Sequence, residues 1–218
     1  AVLLENVAGA YVSLLMGAEN ICLPISEVGL KGASQFDPIP CIDLISHYKI
    51  ESLILLPQML QAIVNVLQKD DERIKSLKFI AVGGAKTPVS LINKAKSLGL
   101  PVFEGYGLSE CSSVTTLNTP KNEKIGSVGK ALPNRNIRIS KDEEIEININ
   151  QSVRYLGVKT ETSTWLKTGD LGHMDDEGYL FINGRKKNIL ITSYGRNISP
   201  EWPESLILGT GLFAQAMV

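Results

Sequence analysis

The chain has 218 residues, 44% of them hydrophobic and 21% charged, which is enough apolar material for a globular core. Its 22 Lys and Arg nearly balance 23 Asp and Glu, so no broad electrostatic surface for nucleic acid or anionic lipid is expected. The 3 cysteines are odd in number and lack CxxC spacing, which argues against a disulfide framework and a structural zinc site and favours free thiols in a reducing cytoplasm. The 2 histidines lie far apart, which argues against a histidine-based metal site or catalytic triad.

The segment at residues 2–18 is the most apolar part of the chain. Glu5, Asn6 and Ser13 interrupt it, and it is shorter than a bilayer-spanning run, so it predicts a buried amphipathic helix and no integral membrane segment. It has neither the basic region nor the small-residue cleavage site of a secretory signal, and it starts on alanine. The abrupt start suggests that the chain is an internal fragment of a longer protein.

The part before about residue 118 alternates helical and strand-like patterns, the order that builds a mostly parallel sheet covered by helices. Four apolar residues recur on one predicted helical face: Leu60, Ile63, Val64 and Leu67.

Two short strands in this part each end in a glycine loop. Residues 79–82 have the pattern of a buried strand stopped by two glycines, after which Thr87 is expected to cap a helix that begins at Pro88. Residues 101–103 form the next predicted strand, which runs into the loop at 105–107. Because open α/β sheets bind ligands beyond the carboxyl ends of their strands, the site is expected at these loops.

The pattern changes to β-rich after residue 119. Residues 136–139 and 144–149 alternate with a period of two, so that three isoleucines share one face of the second strand. A turn at 175–178 leads into a further strand at 179–182.

Beyond residue 184 the pattern predicts a strand at 188–192, a turn at Tyr194-Gly195 and a helix start at 199–201. We therefore expect an α/β fold in three parts. The parts are a helix-covered, mostly parallel sheet subdomain (1–118), a β-rich subdomain forming a distorted barrel (119–183), and a hinge with the beginning of a small α+β C-terminal domain (184–218).

Residues 104–110, Glu-Gly-Tyr-Gly-Leu-Ser-Glu, are the most informative motif in the chain. Tyr106 is able to stack on a purine, Ser109 to bond an anionic oxygen, and Glu110 to bind Mg²⁺, while the glycines admit a phosphate close to the backbone. A glycine turn with a solvated glutamate fits the same residues equally well, and spacing alone does not decide. The third glycine of a dinucleotide fingerprint is missing.

Residues 106–110 match the Tyr-Gly-x-Thr/Ser-Glu motif of the adenylate-forming (AMP-binding) superfamily, which the chain resembles. This superfamily includes acyl-CoA synthetases, luciferases and peptide-synthetase adenylation domains, and the resemblance is closest to long-chain fatty acyl-CoA synthetases. Four further segments follow the family's order: an adenine loop at 83–85, a family segment at 126–129, a ribose motif at 167–171 and a hinge motif at 184–187.

The resemblance implies that the protein uses ATP or AMP, Mg²⁺ and, as a co-substrate, coenzyme A. It also implies that the substrate is a carboxylic acid, with a fatty acid expected. It implies that Tyr106 stacks on adenine, Ser109 lies by the phosphate, Glu110 holds Mg²⁺, and Asp170 accepts both ribose hydroxyls. Lys187 matches the hinge about which the family's C-terminal domain rotates. The expected catalytic residues are Ser109, Glu110 and Lys187, and the expected nucleotide-binding residues are Gly83, Gly84, Ala85, Glu104, Gly105, Tyr106, Gly107, Ser109, Asp170 and Arg185.

The family's phosphate loop and its catalytic lysine do not occur in this sequence, so the chain alone is expected to be inactive. Leu4 lies where amino-acid-activating relatives carry an aspartate, which favours an uncharged acyl group. Three alternatives stay open: transfer of the acyl group to a carrier protein, a nucleotide-binding module without chemistry, and a structural α/β domain.

Overall fold

The computed structural model of the chain describes residues 11–32, 35–149, 164–191, 197–213 and 216–218. These residues fall into two compact units, Ala1–Glu104 and Gly105–Val218. Leu4 and the predicted turn at Tyr194-Gly195 lie outside the described residues. No helix within the described ranges has the length and apolar character needed to traverse a lipid bilayer.

The first unit is built on parallel strands connected by helices. Strands β3 (Ser52–Leu55), β4 (Phe79–Val82) and β5 (Val102–Leu108) pair in that order, with Ile80 placed between Leu53 and Val102. A short antiparallel pair, β1 and β2, precedes them. The elements in chain order are α1 (Val12–Leu15), β1 (Leu30–Lys31), β2 (Gln35–Phe36), α2 (Pro38–Tyr48), β3 (Ser52–Leu55), α3 (Pro57–Val66), a 3₁₀ turn (Glu72–Ile74), β4 (Phe79–Val82), α4 (Val89–Ser97) and β5 (Val102–Leu108), whose last four residues belong to the second unit.

Helices pack on the strands through the residues that the pattern singled out. Leu60, Ile63, Val64 and Leu67 are all buried, and they join Ile80, Val82 and Val102 in one apolar core. The predicted helix-covered parallel sheet is therefore confirmed.

Local signals set the starts of α2 and α3. The Asp37 carboxylate caps α2 by accepting a bond from the Ile39 amide at 3.1 Å, and proline occupies the first turns of α2 and α3. The predicted cap at Thr87 is wrong, because α4 begins at Val89 and no side chain caps it. The Thr87 amide donates instead to the Glu104 carboxylate at 3.2 Å.

The helix predicted for residues 2–18 differs from expectation in its described part. Helix α1 is only four residues long, and none of its side chains is buried. Leu15 is 86% exposed and Met16 is 79% exposed. An apolar sequence predicts burial, whereas the apolar side chains of this helix, Val12, Leu14 and Leu15, are all exposed.

The second unit is a β-structure dominated by a curled four-stranded antiparallel sheet in the order β11-β10-β9-β8. The end of β5 pairs antiparallel with β6, and β6 pairs with β7. The elements are a 3₁₀ turn (Ser109–Cys111), β6 (Ser113–Leu117), β7 (Lys130–Ala131), β8 (Asn136–Ile139), β9 (Glu144–Asn148), β10 (Trp165–Met174), β11 (Leu180–Arg185), a 3₁₀ turn (Lys186–Asn188), β12 (Leu190–Ile191), β13 (Asn197–Ile198) and α5 (Glu201–Leu208).

The isoleucine face predicted for β9 forms the core of this unit. Ile145 and Ile147 are both 0% exposed, and Leu180 of β11 packs with them. The predicted turn at 175–178 is also present: the Asp175 carboxylate accepts bonds from the amides of Glu177 and Tyr179, which ties the β10–β11 hairpin. The predicted α/β class with a following β-rich part is confirmed.

The three thiols are free and differ in exposure. Cys22 is exposed, Cys41 is half-buried, and Cys111 is buried in the core of the second unit. Burial raises the pKa of both Cys41 and Cys111.

Replacing Leu60 with alanine tests the core of the first unit. Leu60 is 0% exposed, so Leu60→Ala should lower the free energy of unfolding by about 3 kcal/mol through lost burial and a cavity. The matched control is Leu56→Ala, at a side chain that is 50% exposed, where the loss should stay below about 1 kcal/mol. Chemical denaturation measures both, and equal losses would contradict this description of the core.

Candidate functional site

The Asp170 carboxylate is the centre of a polar cluster in the second unit. Its residue is 5% exposed, yet both oxygens have partners. The Tyr106 hydroxyl donates to Oδ2 at 2.7 Å, and Nε of Arg185 donates to Oδ1 at 2.7 Å. Asp170 and Arg185 are opposite one another in the β10–β11 register, so strand pairing itself brings the charges together. The carboxylate is thereby fixed in position.

The predicted ribose motif, residues 167–171, forms an irregular, bulged part of strand β10. Pairing with β9 is interrupted between Lys167 and Leu171, and Gly169 adopts a positive φ of 75°. The Asp170 amide donates to the Thr168 hydroxyl at 3.1 Å, and that hydroxyl donates to the Ile145 carbonyl at 2.8 Å. The irregularity therefore takes Asp170 out of the pairing with β9, while its register with β11 is kept.

Tyr106 reaches Asp170 from β5. Its residue is 9% exposed, and its ring packs in the core cluster with Cys111 and Ile145. Burial, together with the bond to Asp170, raises its pKa far above the usual range, so the hydroxyl stays protonated and donates. Only a small part of the ring is accessible, and stacking on a base stays a prediction.

The glycines beside Tyr106 have a structural role that sequence reasoning missed. A Cβ added at Gly107 would lie 1.9 Å from the carbonyl oxygen of Ser113, and one at Gly105 would lie 2.8 Å from the Leu117 side chain. Glycine is therefore required for β6 to approach β5.

Arg185 and Glu110 complete the charged surroundings of Asp170. The Arg185 side chain is 53% exposed, and the bond to Asp170 raises its pKa, with a smaller contribution from the charge of Glu110. Glu110 is half-buried and Ser109 exposed in the 3₁₀ turn that follows β5. Four predicted site residues of this unit thus lie together: Tyr106, Glu110, Asp170 and Arg185.

The remaining predicted site residues lie in the first unit or directly after β11. Gly83, Gly84 and Ala85 follow β4 in the first unit, where Gly84 has a positive φ of 82°. Lys187 is exposed in the 3₁₀ turn after β11. Glu104, in the first unit, is 6% exposed. Burial raises its pKa to about 7, although hydrogen bonds from Thr87 and the charge of Lys86 act to lower it.

Sequence reasoning did not find Glu144. The alternation of β9 places Glu144 and Glu146 on a polar face that the pattern assigns to solvent, but they are 7% and 5% exposed. Glu144 accepts a bond from Lys186 at 2.9 Å, and Glu146 accepts one from Arg138 at 2.6 Å. The sequence signal that could have indicated their burial was the presence of two possible cationic partners, Arg138 on β8 and Lys186 in the turn after β11.

Glu110 is the residue predicted to hold Mg²⁺. Within the part of the chain that the structure describes, no three His, Cys, Asp or Glu side chains gather into a metal-binding group. Mg²⁺ commonly takes one or two carboxylates and completes its shell with substrate phosphates and water. The half-buried Glu110 carboxylate fits that pattern.

Comparison with known proteins agrees with the motifs. The model of the AMP-binding enzyme family matches residues 4–151. The chain belongs to this family. The predicted family membership is therefore confirmed, and the matched segment includes the whole of the 104–110 motif.

Curated relatives include two kinds of ligase. The long-chain-fatty-acid–CoA ligase FadD15 of Mycobacterium bovis is 38% identical over 142 residues, which cover 62% of this chain and 24% of that protein. The 2-succinylbenzoate–CoA ligase of Bacillus subtilis is 34% identical over 173 residues, covering 72% of this chain and 35% of that protein. The chain thus spans between about a quarter and about a third of the length of these relatives.

Solved structures of the AMP-binding enzyme fold match most of the chain. The unliganded O-succinylbenzoate coenzyme A synthetase from B. subtilis matches with a TM-score of 0.72 and 26% identity, covering 94% of this chain and 46% of that one. The same enzyme in complex with ATP and a magnesium ion matches with a TM-score of 0.75 and 25% identity, covering 100% and 53%.

The raised pKa of Glu104 predicts a pH effect on stability. Because the folded pKa of about 7 lies above the ordinary value of 4.5, the neutral carboxyl stabilises the fold at low pH, and this contribution is lost as the pH rises through that window. Glu104→Gln cannot ionise, so at pH 8 the variant should be more stable than wild type by about 3 kcal/mol, with little difference at pH 4.

Chemical denaturation at several pH values measures this difference. The control is Glu51→Gln, at an exposed carboxylate that forms a surface ion pair with Lys78, where the change in stability should stay below about 1 kcal/mol. A constant difference for Glu104→Gln would show that Glu104 ionises normally in the folded protein.

Proposed function

We propose that this chain is part of an ATP-dependent carboxylate-activating enzyme that forms an acyl adenylate and then an acyl-CoA. The observation that carries the proposal is the fixed cluster of Tyr106, Asp170 and Arg185, found in a chain of the AMP-binding enzyme family. The coenzyme A ligases among its relatives support the second step.

Asp170 and Arg185 are suited to the ribose of ATP or AMP. Each carboxylate oxygen of Asp170 accepts one bond in the structure, and a carboxylate has about four acceptor positions, so two hydroxyls of a cis-diol can still be bound. Arg185 donates through Nε and is half-exposed, which leaves its terminal nitrogens able to reach ribose or phosphate oxygens. We assign ribose binding to these two residues.

The remaining roles follow the family motifs. We assign adenine contact to Tyr106 and the 83–85 loop, phosphate contact to Ser109 and the glycine backbone at 105–107, and Mg²⁺ to Glu110. We assign Glu104, the first residue of the 104–110 motif, to the nucleotide site as well. We place the hinge of the C-terminal domain at Lys187. The three-part division at residues 118 and 183 stays a prediction.

The chemistry needs activation because a free carboxylate is a poor acyl donor. Attack of a carboxylate oxygen on the α-phosphorus of ATP releases pyrophosphate and gives a mixed anhydride, and attack by the thiol of coenzyme A then releases AMP. ATP supplies the adenylyl group, and Mg²⁺, when bound, neutralises phosphate charge. The protein's own part is to orient the ribose through Asp170 and to present the positive charge of Arg185.

For the acyl substrate we propose an uncharged group, with a fatty acid as the first candidate. The 38% identity to a long-chain-fatty-acid–CoA ligase supports this choice. An aromatic acid is the second candidate, favoured by the 34% identity to a 2-succinylbenzoate–CoA ligase over a longer part of this chain.

Asp170→Asn tests the nucleotide site directly. The amide keeps the shape of the side chain but replaces one acceptor oxygen by a donor and removes the charge that holds Arg185. AMP affinity, measured by calorimetry on the 218-residue chain, should fall at least about tenfold. The control is Asp176→Asn in the exposed turn of the same hairpin, which should bind like wild type. Equal affinity in both variants, or no binding by wild type, would refute the site.

Pyrophosphate exchange in the whole protein tests the substrate class. A panel of fatty, aromatic and amino acids should give exchange with fatty acids first and aromatic acids second, because no acidic group is expected for a substrate ammonium. Exchange with amino acids alone would reject the acyl-CoA ligase assignment.

A further inference from the structure

Glu144 is a buried carboxylate that holds two separate parts of the candidate site. It lies at the start of β9 and is 7% exposed. Its Oε1 accepts a bond from the Gly169 amide at 3.1 Å, and its Oε2 accepts one from Nζ of Lys186 at 2.9 Å. The Glu144 amide is itself fixed by the Ser140 hydroxyl at 3.1 Å. Both oxygens and the backbone of this residue are therefore anchored.

The two groups held by Glu144 are the direct neighbours of the ion pair at the site. Gly169 precedes Asp170, and Lys186 follows Arg185. Gly169 is in the left-handed region at φ 75°, and a glycine without a hydrogen-bond anchor is the least restrained residue of such a bulge. A shift at either neighbour is transmitted through one peptide unit to Asp170 or Arg185.

We propose that Glu144 is a positioning residue for nucleotide binding. By holding Gly169 and Lys186 it keeps the Asp170 carboxylate and the Arg185 guanidinium in the arrangement that a ribose diol requires. This inference rests on the proposed function of the Asp170 cluster. Glu144 acts through these two residues and makes no contact with the nucleotide itself.

Glu146 provides a matched comparison on the same strand. It is 5% exposed, and its carboxylate accepts a bond from Nε of Arg138 at 2.6 Å. Arg138 belongs to β8, the neighbour of β9 on the side away from β10, and packs over the Trp165 ring at 4.1 Å. Glu144 and Glu146 are thus similarly buried and each is paired with a cation, but of the two only Glu144 bonds to the bulge that carries Asp170.

The test compares Glu144→Gln, Lys186→Met and Glu146→Gln by AMP calorimetry on the 218-residue chain. Glutamine keeps an oxygen for the Gly169 amide and loses the charge that holds Lys186. Glu144→Gln and Lys186→Met should each weaken AMP binding about tenfold, and the double variant should be no weaker than either single one. Glu146→Gln should lose a comparable amount of thermal stability and bind AMP like wild type.

The outcomes separate a positioning role from a structural one. If Glu144→Gln is less stable but binds AMP as tightly as wild type and Glu146→Gln do, the inference is overturned while the proposed function stands. If wild type binds no AMP, the proposed function and the inference both fall. Should Glu144→Gln not fold, Lys186→Met decides the question, because the Lys186 side chain is 47% exposed and its loss leaves the core intact.

Discussion

A carboxylate can be buried only if other groups replace the hydration that it loses. In the second unit this constraint is met at Asp170 by one neutral donor, Tyr106, and one cationic donor, Arg185. The three groups come from three strands, β5, β10 and β11, so their meeting depends on the correct register of each. The cluster therefore forms only when these three strands pair in the correct register, and it leaves a charged group, Arg185, partly exposed at the surface of the unit.

The partial exposure of this cluster is what makes it a candidate site. Asp170 is almost fully covered, whereas half of the Arg185 side chain faces solvent. The orientation of the Asp170 carboxylate is fixed by its bonds to Tyr106 and Arg185, so in the proposed site it is preorganised before a ligand binds. Preorganisation of this kind lowers the entropy cost of association, since the side chains lose little freedom when the ligand arrives.

Elements with strong periodicity were predicted well from the sequence. The strand at residues 79–82, the helix face at Leu60 and Ile63, and the isoleucine face of β9 all follow from alternation or helical spacing, because one buried face leaves a repeating apolar signal. The motif residues of the second unit were also identified in advance, and the structure brings Tyr106, Asp170 and Arg185 together.

Features that depend on distant partners could not be predicted. The pairing of Glu144 with Lys186 joins residues 42 positions apart, and nothing local in a Glu-x-Glu strand distinguishes a buried carboxylate from a solvated one. The exposure of α1 and the uncapped start of α4 have the same origin. A sequence pattern indicates which groups need partners, and only the tertiary structure shows whether those partners are present.

The unequal burial of the three thiols has a practical consequence for covalent chemistry. Alkylating reagents attack the thiolate, and burial keeps Cys41 and Cys111 in the protonated form at neutral pH. Cys22 is exposed and so reacts first. A maleimide dye would accordingly label Cys22 before Cys41, and Cys111, buried in the core of the second unit, would react last.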